Sequence, residues 1–402
     1  MSRRETGAPV ETTAEQIEHE FRPSTTDVGH AVALPPYCYT SDEFFEFEKD
    51  AVFTHDWLCL GRQEEIPEAG DYFTVQVNDD PLIAVRGKDG AICVLSNVCR
   101  HRAALVARGS GNCGNAFRCH YHWWTYALDG RLIGAPEMSE TPDFDLDTVA
   151  LPQLRVEIWN GFIFANFDAD AEPLAPHLRK LDSLLTNYHL DEMITMPPEV
   201  LDSVPCNWKV MVENFIESYH SSRLHKGPHD FAPSSAARFD PEWLEDSAAI
   251  YGWTTTTHPD PGFNPTMKAL FPPIETLTPD ERQKVMFALV PPLLMLGISC
   301  DHVFWFLGLP NGPGEIALRM AYCFPASTHK HPEFELLYEM AVRGVDVFNR
   351  NDLLANEGVQ VGLRSRFAPR GRYSHQEVRL PQFNRWLVRR YEESARRTES
   401  VR

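Results

Sequence analysis

The chain has 402 residues and a formal net charge of −20, from 37 Lys and Arg against 57 Asp and Glu. Hydrophobic residues at 43% and charged residues at 23% are ordinary globular usage, which excludes a wholly disordered chain and allows two or three domains with a sizeable core. The acidic balance weighs against a nucleic-acid or anionic-membrane partner, since both reward positive charge.

Residues 1 to about 35 are polar without a clean period and are expected to form a mobile arm. Met1 to Thr26 has no apolar core, so no secretory signal is expected. From about 55 to 165 the signals are β. Leu82-Ile83-Ala84-Val85 and Ile92-Cys93-Val94-Leu95 flank Gly87-Lys88-Asp89-Gly90, which predicts a hairpin. Leu128-Asp129-Gly130 is a turn signal, and Asn160-Gly161 between Val156–Trp159 and Phe162–Phe164 predicts a two-residue hairpin.

After about 168 the period changes. Leu178, Leu181, Leu184 and Leu185 predict a short helix, and Trp208, Met211, Val212, Phe215 and Tyr219 predict another that frays before Gly227-Pro228. Residues 228–280, rich in Pro, Asp and Thr, are expected to be long surface loops. The longest apolar stretch, Val285 to Ile298, contains Pro291 and Pro292 and is too short and broken to cross a bilayer. Phe304–Leu309 and Ile316–Ala321 predict buried strands, Pro332 to about Leu363 a helix, and Phe383–Tyr391 a last helix. The expected fold class is α+β: a small antiparallel β domain, then a larger domain with an antiparallel sheet flanked by helices.

Nine cysteines are too sparse for a disulfide framework. The expected location is cytoplasmic with reduced thiols, where clustered Cys and His are more often metal ligands than bridges. Cys99-Arg100-His101 and Cys119-His120-Tyr121-His122 are two short ligand pairs, with 17 residues between His101 and Cys119. Both follow predicted strands, so each pair fits a loop at a hairpin tip. Two loops that each offer one thiolate and one imidazole suit a [2Fe–2S] cluster with two thiolates on one iron and two imidazoles on the other. A structural zinc site also uses two Cys and two His, but usually pairs Cys with Cys and His with His.

Glu217 and His220 are three apart and would share a face of a helix. His220 and His225 are five apart, about 140° out of line on a helix, so both can bind one metal only if the helix ends between them. Two imidazoles plus one carboxylate form the facial set of non-haem Fe(II) oxygenases, with positions left for O₂ and substrate.

The sequence resembles the Rieske non-haem iron oxygenases, the α-subunits of aromatic-ring-hydroxylating oxygenases. Asn97-Val98-Cys99-Arg100-His101-Arg102, Cys119 to Tyr126 and Leu128-Asp129-Gly130 carry the first part of the resemblance, and Asn207 to His225 the second. It extends from about Trp57 to Arg385. The family usually has Gly where Ala103 stands, Pro where His120 stands, and often Gly where Trp123 stands. It implies a Rieske cluster on Cys99, His101, Cys119 and His122, and a mononuclear Fe(II) on His220 and His225. The third ligand is implied by an Asp-x4-Glu context followed by Gln, which Asp352, Glu357 and Gln360 fit. Asp346 is the competitor.

The resemblance implies that Glu217, where many relatives have Asp, hydrogen-bonds His220 and, across a subunit boundary, His122 of a neighbour. Asn214 matches a family position near the O₂ site. The implied organisation is an N-terminal arm packing on the catalytic domain (1–45), a Rieske domain (46–165) and a catalytic domain (166–402). The implied partners are O₂, a small organic substrate and a separate NAD(P)H reductase, alone or with a ferredoxin. The implied assembly is a homotrimer, alone or with a β-subunit.

The expected activity is hydroxylation or oxidative demethylation of a small aromatic compound. The alternative is a monooxygenase acting on a quaternary ammonium compound, toward which Glu217 leans. Tyr251, Trp253, Phe263, Phe271, Phe287, Phe304, Trp305 and Phe306 are expected to be core more often than pocket. If several line a pocket, they would make a flat slot for a ring or a cage for an ammonium group. A Rieske electron-transfer protein is the rival of another class, and a zinc-stabilised binding protein a further one.

Overall fold

The computed structural model describes residues 14–227, 229–240 and 248–401. Residues 1–13 of the expected arm and Pro228 of the expected helix end lie outside the described residues, as do 241–247 within the expected loops.

The first layer is a seven-stranded antiparallel sheet in the order β1-β10-β9-β4-β3-β2-β5. Its strands are β1 (Leu58–Arg62), β2 (Asp71–Val77), β3 (Asp80–Arg86), β4 (Ile92–Ser96), β5 (Ser110–Asn112), β9 (Gln153–Trp159) and β10 (Phe162–Asn166). Between β5 and β9 the chain builds a three-stranded sheet of β6 (Ala116–Arg118), β7 (Thr125–Ala127) and β8 (Leu132–Gly134). The two expected hairpins are present. β3 and β4 pair with Arg86 opposite Ile92, and β9 and β10 pair with Trp159 opposite Phe162. Asn160 and Gly161 between them have φ of 48° and 82°, the left-handed pair that matches strand twist in a two-residue turn. A small apolar core, including Ile83, Leu95, Phe117, Trp124, Tyr126 and Leu132, joins the two sheets and buries Cys99 and Cys119.

The second layer is an eight-stranded antiparallel sheet. Its order is β11 (Met193–Thr195), β18 (Ile316–Pro325), β17 (Val303–Pro310), β16 (Leu294–Ile298), β15 (Lys284–Val290), β14 (Ile250–Thr255), β13 (Ala237–Phe239), with β12 (Glu199–Val204) also on β18. The apolar stretch 285–298 is thus a hairpin of β15 and β16, bent at Pro291-Pro292. The region expected to be all loop contains β13 and β14, which add to this sheet. β13 is three residues long and β14 sits between Pro- and Asp-rich stretches, so tertiary pairing decides their state.

Among the described residues seven α-helical segments accompany the sheets: α1 (Ala14–Gln16), α2 (Asp42–Glu48), α3 (Ala175–Leu185), α4 (Trp208–Ile216), α5 (Ser221–Leu224), α6 (Phe334–Leu363) and α7 (Arg379–Val401). Helix α4 packs on β14, β15, β17, α6 and α7. Its start is fixed twice. The Asn207 side chain accepts from the Lys209 N–H at 2.9 Å, and buried Gln360 on α6 accepts from the Asn207 N–H at 2.8 Å. Lys209 is fully buried and ion-paired to fully buried Glu48 at 2.6 Å, with Tyr391 donating to the same carboxylate.

The expected mobile arm is not loose from residue 14 onward. Ile17 and Phe21 are buried, and the Phe21 ring lies 5.5 Å from that of Tyr391. Two apolar residues four apart, too few to give a period, are enough to pin it to α7. No described helix is long and apolar enough to cross a membrane.

Candidate metal centres

The two Cys/His pairs lie in two loops with the same internal bonding. In the first, the Cys99 N–H donates to Ala104 O at 2.9 Å and the Ala103 N–H to Cys99 O at 3.0 Å. In the second, the Cys119 N–H donates to Trp124 O at 2.9 Å and the Trp123 N–H to Cys119 O at 3.0 Å. Each loop turns through a left-handed residue, Ala103 at φ 56° and Trp123 at φ 60°. These are the two positions where the resemblance leads one to expect glycine, and a side chain there costs about 1 kcal/mol.

Buried Asn97 ties the first loop to the sheet: its Oδ1 accepts from Val106 and Ala107, and its Nδ2 donates to Ala107 O. Cys99 and Cys119 are buried, whereas His101 and His122 are exposed with ring centroids 4.5 Å apart. The His101 ring stacks on buried Trp124. Tyr126 accepts from the Arg100 N–H at 2.9 Å, which leaves its O–H to face the Cys99 sulfur at 3.2 Å. Partial loss of hydration, then the charges of His101 and Arg102, shift His122 below the ordinary imidazole range, which favours the neutral form a metal needs. Two buried sulfurs below two exposed imidazoles fit a cluster with a thiolate end inside and an imidazole end at the surface.

The second set is built differently. α4 stops at Ile216, and Glu217 is extended at φ −101° and ψ 153°. Glu217 and His220 therefore do not share a helix face as expected. The Glu217 carboxylate instead folds over the turn that follows, accepting from the Tyr219 and His220 N–H groups and bonding Nδ1 of His220. A carboxylate only accepts, so Nδ1 carries the hydrogen and Nε2 keeps its lone pair. Burial lowers the His220 pKa, but Glu217, and then Asp352, outweigh it and raise it. The one turn of α5 between His220 and His225 brings both rings to one point, 5.0 Å apart.

Asp352 reaches that point from α6. Its Oδ1 is 3.0 Å from His225 Nε2 and 3.5 Å from His220 Nε2, and the ligand atoms of the three residues lie within 4.8 Å of one another. Asn214 Nδ2 donates to the same Oδ1 at 3.4 Å. His225 Nδ1 is buried without a partner. Two imidazole nitrogens and a carboxylate oxygen on one point fit a mononuclear Fe(II). Asp346 is elsewhere, ion-paired to Arg350 at 2.5 Å. Glu357 is exposed, and Gln360 spans from Asn207 to Tyr39 O.

A cavity opens over this set. Alternate residues of the eight-stranded sheet form one wall: Gly252, Thr254, Phe287, Phe304 and Phe306. Gly297 of β16 permits this, because a Cβ there would fall 2.0 Å from the Phe304 ring. Phe215, Phe263 and Phe348 complete six phenylalanines around the space. Of the eight aromatic residues weighed from sequence, Phe263, Phe287, Phe304 and Phe306 line it. Tyr251 donates to Asp240, Trp305 to Thr195, Trp253 lies under Lys284, and Phe271 packs on Phe324. Sequence reasoning missed Phe215, Phe348, His229 and Arg379 as lining residues. His229 had a signal, a third His four after His225. Burial, then His225 and His220, push it down to about 4, so it is neutral.

Comparison with known proteins places these features together. A family model described as "Ring hydroxylating alpha subunit (catalytic domain)" matches residues 185–393, and one described as "Rieske [2Fe-2S] domain" matches 56–149. The carnitine monooxygenase oxygenase subunit of Acinetobacter pittii is 33% identical over 198 residues, 49% of this chain and 53% of that protein. The biphenyl 2,3-dioxygenase subunit alpha of Rhodococcus jostii is 34% identical over 198 residues, 47% of this chain and 42% of that one. The chain thus spans about half the length of these curated relatives. A solved structure of a quaternary ammonium Rieske monooxygenase is similar in fold, with a TM-score of 0.76 at 24% identity over 93% of this chain and 98% of that one.

Proposed function

This chain belongs to the ring-hydroxylating α-subunit family, and from that premise we propose that it is the oxygenase component of a Rieske non-haem iron system acting on a small aromatic compound. The convergence of His220, His225 and Asp352 beneath a phenylalanine-lined cavity carries this reading. When bound, the mononuclear iron activates O₂ with electrons supplied through the Rieske cluster.

Each residue has a task in this reading. Cys99, His101, Cys119 and His122 would hold the cluster, whose two imidazoles are the exposed side of the site. His220, His225 and Asp352 would hold the iron beside the cavity. Glu217 fixes the tautomer and direction of His220, an outer partner that ligating histidines ordinarily have. Asn214 steadies the Asp352 oxygen, and the six phenylalanines exclude water and receive the aromatic part of the substrate.

The division into an arm (1–45), a Rieske part (46–165) and a catalytic part (166–402) belongs to the same proposal. So do a separate NAD(P)H reductase, alone or with a ferredoxin, a homotrimer in which Glu217 faces His122 of a neighbour, and a cytoplasmic location. A second reading, oxidation of a quaternary ammonium compound, is favoured by the same six rings, which also suit a cation, and by Glu rather than Asp at 217.

Turnover with isotope-labelled O₂, a reductase and NADH tests the proposal. Label in an organic product is expected. Reduction of the cluster with label in no product, across aromatic and quaternary ammonium compounds, would move the protein to the electron carriers.

A further inference from the structure

Arg379 lines the cavity, and the chemistry assigned above does not use it. It opens α7 and is 3% exposed. Its Nη1 donates to Phe287 O at 3.1 Å, but its Nε is buried without a partner. Burial lowers its pKa to about 10 while Glu217 acts to raise it, so it remains a cation at neutral pH. Glu217 answers that charge through space only, because its oxygens accept from His220 and two backbone N–H groups and not from the guanidinium. The Phe239 ring at 5.4 Å is a weak partner. A buried guanidinium is stable when an anion completes it, and its planar fork suits a carboxylate. Gly252 and Arg379 both line the cavity, so the guanidinium borders its open space rather than a filled core.

We propose that Arg379 binds a carboxylate of the substrate, so that the substrate class is a small organic acid whose remaining part lies against the phenylalanine rings. This rests on the oxygenase reading of the same cavity. Arg379 is then a specificity-determining residue. It anchors the acid at the α7 end of the cavity and directs the rest of the molecule toward His220, His225 and Asp352. Six aromatic faces accept either a ring or a trimethylammonium group, so the shared chemistry is the carboxylate. An aromatic acid and a betaine are its two sources.

Calorimetric titration of the full chain, with iron and sulfide content measured on the same preparation, tests this. Benzoate is compared with benzyl alcohol, and glycine betaine with choline, each pair differing at the carboxylate. The acid of at least one pair is expected to bind about 10- to 100-fold tighter than its partner. Preference in the first pair marks an aromatic acid and in the second a betaine. Arg379→Gln should erase the preference and leave the non-acid partner within about 2-fold. Arg379→Lys, which keeps the charge without the fork, should retain part of it. If Arg379→Gln does not fold, as thermal melting will show, the wild-type preference and its reduction in Arg379→Lys decide.

Equal binding of acid and partner in both pairs would overturn the proposal, as would a preference unchanged in the variants, which would leave Arg379 serving Glu217 alone. A full complement of iron without acid preference would sink this inference only. Acid preference without the mononuclear iron would sink the oxygenase reading and keep this one.

Discussion

The two regions proposed to hold metal are built on different length scales. The four proposed cluster ligands lie between Cys99 and His122, in two loops that each close on themselves through backbone bonds. The second set takes His220 and His225 from one turn, but Asp352 arrives from a helix 127 residues further on (352 − 225). The first site can form wherever its two loops meet. The second exists only when α6 is docked against α4, which Gln360 and Asn207 help to fix. A site made of tight loops is written in local spacing, and a site closed by packing is not.

The largest expected effect comes from breaking the long-range set. Asp352→Ala should lose one of about three irons per chain, keep the cluster and its spectrum, and drop turnover to background. Retention of all the iron would move the third ligand elsewhere. Glu217→Gln is milder, since it keeps a group that can bond His220 but removes the charge. It should keep both kinds of iron and lose about 10- to 100-fold in coupled turnover. Unchanged turnover would remove Glu217 from the electron path.

The local site is probed from beneath by Asn97→Ala. It removes three buried hydrogen bonds that hold the Cys99 loop, and should cost about 2–3 kcal/mol of unfolding free energy. The mononuclear iron should remain. Loss of that iron along with the loop would mean that the two regions fold as one.

The same contrast explains what could be read beforehand. The β3–β4 and β9–β10 hairpins were legible because turn chemistry and alternation are local, and so were the two Cys/His pairs. α4 was legible from its apolar period, but not its end. The period runs on through Tyr219, while the Glu217 carboxylate captures the next backbone N–H groups and stops the helix at Ile216. β13 and β14 were hidden because β13 is only three residues long and pairs with β14, whose other partner, β15, lies outside their segment. Asp352 had no local mark among the acids of α6 and came from the family resemblance. Arg379 had none at all: nothing in the sequence around it separates an arginine facing a cavity from one facing water.

The most direct test of the central claim is iron, zinc and acid-labile sulfide per chain on anaerobically purified wild-type protein, with an EPR spectrum of the reduced form. The account predicts about three irons and two sulfides, a Rieske-type signal and little zinc. Two irons and two sulfides, with nothing at His220, His225 and Asp352, would contradict it and leave a cluster protein without a catalytic centre.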